Sequence, residues 1–315
     1  MLAKGKGTGR KVRGKHLTKR VARRRLPMQA EGTVKQSYLQ GERRREDGVR
    51  YKHDLGQHFL YDTALLRSLV QRAGVTKTDR VLEIGPGAGT LTVCLCEAAE
   101  RVLAVEVDEA VIPFLRVATE GFGNVNIVQG DIRRLDLRRI ADSLGEGFLV
   151  VANIPYNITA PIFDLFWGSD LPVRQMSVMV QKEVAHKLVA MPGDEAYGLT
   201  SLRCRYYTEP EIVEYVPAKA FTPPPKVDSA FVNLPFRKAP VAPVSDEAML
   251  WRIVRAGFGQ RRKTLLNALK GVAGISTENA RAALEALHLS QTVRGEAMTL
   301  TEWISLANAL ACAGK

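Results

Sequence analysis

The segment Asn153-Ile154-Pro155-Tyr156 closes the apolar run Phe148–Asn153 and sets a planar amide, a rigid turn and an aromatic face within one short loop. Those residue types suit methylation of the exocyclic amine of a base. The lone pair of adenine N6 is delocalised into the ring, so the nitrogen is a poor nucleophile. If the Asn153 side-chain oxygen and the Ile154 carbonyl each accept one N–H, they favour a pyramidal nitrogen whose lone pair points at a methyl sulfonium. Catalysis is then mostly positioning, with neither a metal nor a covalent intermediate, and Tyr156 would stack on a base drawn out of its helix. Standing alone, N-x-P-Y reads more readily as a proline turn with a capping Asn and a core Tyr; its place at a strand end of a parallel sheet favours chemistry.

Three further groups sit at successive strand ends. Gly85, Gly87 and Gly89 follow the first strand in EIGPGAGTL and permit close approach of backbone to a ligand at a helix N-terminus. Glu106 ends the second strand, 21 residues beyond Gly85, where an acid can accept both hydroxyls of a ribose. Asp131 follows the third, placed to accept from an adenine amine. A nucleoside-bearing ligand is implied. Each element alone is weak, since a lone glycine loop is commonly a simple turn, and the set up to this point suits dinucleotide-binding and methyl-donor enzymes alike.

Positioning these groups requires alternating strands and helices. Short apolar, β-branched runs at 80–84, 101–106, 125–129, 148–153 and 174–180 predict strands, and segments 90–99, 109–118, 160–167 and 182–190 predict helices, the signature of a parallel sheet. After Met191 the rhythm changes: 199–207 and 227–234 read as strands without an intervening helix, so the sheet should close on an antiparallel edge. The proline run in 221–229 cannot be helical. Beyond a polar, proline-punctuated stretch at 237–246, Leu250, Ile253, Val254, Gly257 and Phe258 recur at the spacing of one helical face, continued by Leu265, Leu266 and Leu269. Three regions are expected: a basic extension at 1–50, a catalytic α/β domain at 51–238 and a helical domain at 239–315.

Composition bounds the reading. The chain has 315 residues, 46% apolar, enough for a sizeable core. No stretch has the length of apolar residues a membrane helix needs, which argues against a membrane protein. The four cysteines have neither zinc-finger spacing nor disulfide-scaffold density, so no metal and a reducing, cytoplasmic compartment are expected. Residues 1–50 hold 16 Lys+Arg against 4 Asp+Glu, so the formal excess of +12 lies entirely there. Such a block should stay solvated and mobile unless a polyanion orders it. A merely solubilising extension is an equal reading on charge alone, and an organelle transit peptide a weaker one, since the block lacks serine early and amphipathic pattern.

GQHFL (56–60), EIGPGAGTLT, the acid Glu106, GDI (130–132), NIPYNI, VQKEVAHKLVA (180–190), YGLTSL, AFTPPPKVDSAF and FGQRRKTLLNAL together resemble the ribosomal RNA adenine dimethyltransferases of the KsgA type, from about Gly56 to the C-terminus. The resemblance implies a Rossmann-like class I methyltransferase, with a seven-stranded, mostly parallel sheet and a small C-terminal helical domain. Its implied activity is S-adenosylmethionine-dependent dimethylation of N6 on two adjacent adenosines near the 3′ end of small-subunit (16S) ribosomal RNA during ribosome biogenesis. Carried over by position, donor-binding residues fall on His58, Leu60, Gly85, Gly87, Glu106, Asp131 and Asn153, the catalytic loop on Asn153 to Tyr156, and a second aromatic wall for the base on Phe221. His58 departs from the Asn common in relatives, although it too can donate a hydrogen bond. Arg261, Arg262 and Lys263 are implied RNA phosphate contacts; Arg133, Arg134, Arg138 and Arg139 form a similar cluster near Asp131. The implied partner is the assembling 30S particle, met by a cytoplasmic monomer. Two other functions are consistent with parts of the pattern: methylation of large-subunit RNA of the macrolide-resistance type, and a non-catalytic assembly or transcription factor on the same fold. The proline-rich and FGQRRKT segments weigh against the first, and the intact Glu106, Asp131 and Asn153–Tyr156 set against the second.

Overall fold

In the computed structural model, residues 58–313 are described; the basic segment 1–50 lies outside them. The predicted apolar runs form parallel strands β2 (Arg80–Ile84), β3 (Arg101–Glu106), β4 (Val125–Gln129), β5 (Phe148–Asn153) and β6 (Val173–Gln181). In β2, β3 and β5 the near-continuous apolar sequence follows from burial on both faces of the sheet, whereas β4 at the edge is only partly buried. With β7 (Glu211–Val216) and β9 (Ser229–Pro235), they make a seven-stranded sheet in the order β4-β3-β2-β5-β6-β9-β7. Strand β9 runs antiparallel to both its neighbours, which is the antiparallel closure expected. A separate pair joins β1 (Phe59–Leu60) to β8 (Phe221–Thr222), with Leu60 opposite Phe221.

The order of connection reverses between β2 and β5, whose registers bring Glu83 opposite Val151. A crevice therefore opens outside the carboxyl ends of these two strands, where open α/β sheets bind ligands. Helices α1 (Thr63–Arg72), α2 (Thr90–Ala98), α3 (Ile112–Ala118), α4 (Leu137–Leu144), α5 (Thr159–Phe166) and α6 (Lys182–Val189) connect and cover the strands. The sequence reading missed α1 and α4. Both carry an Asp N-cap: Asp62 accepts from Leu65 N–H, and Asp136 from Arg138 and Arg139 N–H.

The segment 199–207, expected as a strand, is helix α7 (Leu199–Tyr207). Its start is fixed by Ser201, whose hydroxyl accepts from Gly198 N–H and donates to the Lys187 carbonyl. Strand β7, absent from the sequence reading, follows; Glu211 and Glu214, on either side of a register shift, suit an edge strand. The C-terminal helices are α8 (Glu247–Gly259), α9 (Leu265–Leu269), α10 (Thr277–Ala286) and α11 (Leu300–Ala313). Each of the first three is capped by the side chain before it: Asp246, Thr264 and Ser276.

Two buried clusters flank the sheet, and a third fills the helical region around Leu250, Val254, Trp303 and Leu306. That third cluster recruits Ala190, Tyr197 and Leu202, so the helical core draws on sequence well before residue 239. Gly257 lets α8 and α11 approach: a Cβ there would stand 2.6 Å from the Trp303 ring.

Candidate active site at the carboxyl edge of the sheet

A cavity of about 230 Å³ opens at the crevice, and its wall includes Glu83, Gly85, Glu106, Asp131, Asn153 and Tyr156. The glycine loop adopts positive φ at Gly85 (+70°), Gly87 (+55°) and Gly89 (+92°). At Gly87 a Cβ would stand 2.5 Å from the Phe59 ring, so glycine also lets β1 cross the loop.

Glu106, 3% exposed, accepts from Gly87 N–H (2.9 Å) through Oε2 and from Asp108 N–H (2.8 Å) through Oε1. Burial pushes its carboxyl above the ordinary carboxylate range, against the backbone N–H groups that favour ionisation. Each oxygen retains acceptor capacity toward ribose hydroxyls. Asp131 is gripped by the Arg133 guanidinium (Nε 2.9 Å to Oδ1, and 2.7 Å to Oδ2) and by Arg133 N–H (3.0 Å). The guanidinium holds Asp131 below the usual range, so it stays an acceptor through neutral pH.

Asn153 is oriented from a distance in sequence. Its Nδ2 donates to the carbonyl of His58 at 2.9 Å, which leaves Oδ1 as the accepting end of the amide. His58 is held in turn: Nδ1 donates to the Pro223 carbonyl (2.8 Å), and the ring stacks on Tyr156 with centroids 5.5 Å apart and planes 29° apart. The Tyr156 hydroxyl meets Ser229 Oγ at 2.5 Å. The Leu60 carbonyl accepts from Thr90 Oγ1 at 2.9 Å, and the side chain of Ile154 is buried in the core beside the loop.

Among the expected site residues, His58, Leu60, Gly85, Gly87, Glu106, Asp131, Asn153, Ile154, Pro155 and Tyr156 all line this one cavity. Phe221 does not. It is 2% exposed and packs in the core with Leu60, Val216 and Phe231, because its pairing across Leu60 turns it beneath the β1–β8 ribbon. Arg261, Arg262 and Lys263 are exposed in the turn between α8 and α9, yet Arg261 is committed inside the molecule, to Glu296 (3.2 Å) and to the carbonyls of Glu195 and Tyr197. The Arg133 to Arg139 cluster is likewise paired: Arg133 with Asp131, Arg138 with Asp170 and Arg139 with Asp136. Cys94 and Cys96 are buried, and burial pushes their thiols up, to about 11 and about 12.

The sequence reading missed Glu83. It is 1% exposed and lines the cavity; neither carboxyl oxygen makes a hydrogen bond of normal geometry, although the Thr92 hydroxyl stands close enough to favour its ionised form. Burial, foremost, raises its carboxyl to about 8. The available signal was an acid inside the otherwise apolar run V-L-E-I. A buried carboxyl with only the Thr92 hydroxyl near it keeps acceptor capacity for a donor from outside the chain. With the side-chain-free loop at Gly87 and the carboxylates Glu106 and Asp131, the wall fits S-adenosylmethionine, which brings cationic, hydroxyl and amine donors.

A seven-stranded sheet with its glycine loop, ribose acid and amide-bearing loop at the switch point defines a Rossmann-like class I methyltransferase. Residues 48–311 match the family described as ribosomal RNA adenine dimethylase, and the chain belongs to that family. Relatives named Ribosomal RNA small subunit methyltransferase A, from Lachnoclostridium phytofermentans and Geobacillus thermodenitrificans, are each 42% identical. The first match covers 82% of this chain and 91% of the relative, the second 84% and 92%. Among solved structures, the 23S rRNA methyltransferase ErmE is 27% identical over 80% of this chain and 99% of its own (TM-score 0.63). A dimethyladenosine transferase from Plasmodium falciparum superposes with a TM-score of 0.69 over 79% of this chain and 96% of its own at 24% identity, a likeness of fold.

Proposed function

We propose that the chain is an S-adenosylmethionine-dependent enzyme that dimethylates N6 of two adjacent adenosines near the 3′ end of small-subunit ribosomal RNA. The observation that carries this reading is the fixed Asn153 amide, whose nitrogen is spent on the His58 carbonyl so that its oxygen is left to accept from an amine. The donor supplies an electrophilic methyl group on a sulfonium. Glu106 and Asp131 bind its nucleoside end, the glycine loop and Leu60 flank it, and Glu83 supplies a carboxyl to its cationic end. Asn153 Oδ1 and the Ile154 carbonyl accept the two N6–H groups, turning the lone pair toward the methyl carbon, while Pro155 keeps the loop rigid and Tyr156 stacks on the base. The braced ring of Tyr156, fixed by His58 and Ser229, is pre-set for that contact. Phe221 acts as support beneath β1 rather than as a wall for the base.

Arg262 and Lys263 contact RNA phosphates, with Arg261 holding their turn in place. The 42% identity to small-subunit enzymes, against 27% to a large-subunit one, supports the small-subunit substrate. Among the described residues no helix is long and apolar enough to cross a membrane. The proposal takes the enzyme as a cytoplasmic monomer acting on an assembling 30S particle.

Labelled methyl donor, incubated with the protein and either unmodified small-subunit particles or bare large-subunit RNA, tests it. Label mapping to two neighbouring adenosines near the small-subunit 3′ end is expected. Label on large-subunit RNA alone would reject the assignment, and label on neither would favour a non-catalytic factor.

A further inference from the structure

The catalytic edge of the sheet continues past the cavity into a second surface. Strand register carries Gln181 across to Ser229 and Ser229 across to Val216. The start of α6, the start of β9 and the end of β7 therefore stand in a row beside Tyr156, whose hydroxyl meets Ser229. Tyr215, next to Val216, is 51% exposed. Its ring is braced rather than loose: Lys182 Nζ lies 5.4 Å from the centroid, and His186 meets it edge-on, with centroids 6.1 Å apart and Nε2 3.2 Å from the hydroxyl.

Backbone ties gather more cations around it. Lys182 N–H donates to the Asp228 carbonyl, and Ala218 N–H to the Asp228 carboxylate, which brings Lys219 and Lys226 to the same loop cluster. Lys182, His186, Lys219 and Lys226 are all exposed. Among the described residues none of these three lysines forms an ion pair. Of the neighbouring acids, Glu183 pairs with Lys187 and Glu214 with Arg72, while the Asp228 carboxylate accepts from Ala218 N–H within the cluster.

We propose that this face is a platform for an unpaired stretch of the substrate RNA flanking the target adenosine, with Tyr215 stacking on a base and Lys182, Lys219 and Lys226 meeting phosphates. Aromatic rings interleaved with cations are how single-stranded nucleic acid is held without sequence readout. The reach is suitable: Asn153 is on β5 and Tyr215 on β7, three strand spacings away, or roughly 15 Å. A protein partner is disfavoured because Tyr215 and the 44% exposed Val227 offer too little apolar area for a protein interface. The proposal rests on the RNA-methylating reading, and its test separates the two.

The measurement is binding of deproteinised 3′-terminal small-subunit RNA at several salt concentrations, beside donor binding as a control for folding. Tyr215→Ala is expected to weaken RNA binding about tenfold, the loss of one stacked base. Tyr215→Phe, which keeps the ring, should stay within about twofold of wild type on the same argument. Lys182→Gln should lower the salt slope by about one. Donor affinity should hold in all three. Unchanged RNA affinity in Tyr215→Ala would overturn the proposal, and so would a loss seen only on protein-containing particles, which would assign the face to a protein partner. Failure of the wild-type chain to methylate unmodified small-subunit particles would instead count against the functional reading, while the Tyr215→Ala loss of affinity would still uphold the platform.

Discussion

The role proposed for Asn153 lies in the direction of its amide, so its removal should cost rate rather than affinity. Asn153→Ala is expected to lower turnover by about 10²- to 10³-fold, the magnitude for loss of one preorganised polar group, with little change in RNA binding. Single-turnover methylation beside RNA binding checks it. Glu83 makes a pH prediction. Because burial raises its folded carboxyl to about 8 against an ordinary 4.5, the group is neutral in the donor-free protein at neutral pH. A cationic ligand favours the ionised form, so donor affinity should rise with pH toward about 8 and then level off, and Glu83→Gln should flatten that profile. The same shift acts on folding: its stabilising contribution is full below 4.5 and is lost as pH rises through about 8, so urea midpoints of Glu83→Gln should depend less on pH in that window. Asn153 and Glu106, which end strands, and Asp131, which closely follows one, were placed at one edge by sequence, and all three line the cavity there. The hydrogen bond from Asn153 to the His58 carbonyl could not be read there, because it joins positions 95 residues apart.

The central strands β2, β3 and β5 were legible because burial on both faces leaves nearly continuous apolar runs, and the edge strand β4 because Val125, Ile127 and Val128 keep its β-branched character. Helix α7 was not: L-T-S-L-R-C-R-Y-Y fits either period, and burial of Ser201, Leu202 and Cys204 decides for the helix. Helix α7 straddles two cores, with Cys204 in the cluster against the sheet and Leu202 in that of the C-terminal helices. Helix approach also gives a stability prediction. Gly257→Ala should lower stability by about 1–3 kcal/mol, the cost of overpacking, because the new methyl would meet the buried Trp303 ring at 2.6 Å. Urea denaturation reads the change, and an unchanged midpoint would show that the ring gives way. Phe221 shows the limit of transferring roles by position: the proline-rich loop lies where expected, but strand pairing turns this side chain into the core.

At the scale of the molecule, charge divides the chain. Residues 1–50 hold the whole formal excess, and the remainder is balanced, so long-range attraction to RNA should reside in the extension while the folded edge aligns the target. Deleting residues 1–50 should weaken RNA binding and reduce its salt slope. An identical slope in the truncated protein would mark the extension as a bystander. The central claim is geometric and has a direct measurement: a crystal structure with a donor analogue and an adenosine-bearing RNA fragment in the cavity. Asn153 Oδ1 and the Ile154 carbonyl should both lie about 2.7–3.2 Å from N6, with the base against Tyr156. An N6 outside hydrogen-bond reach of both oxygens would contradict the account.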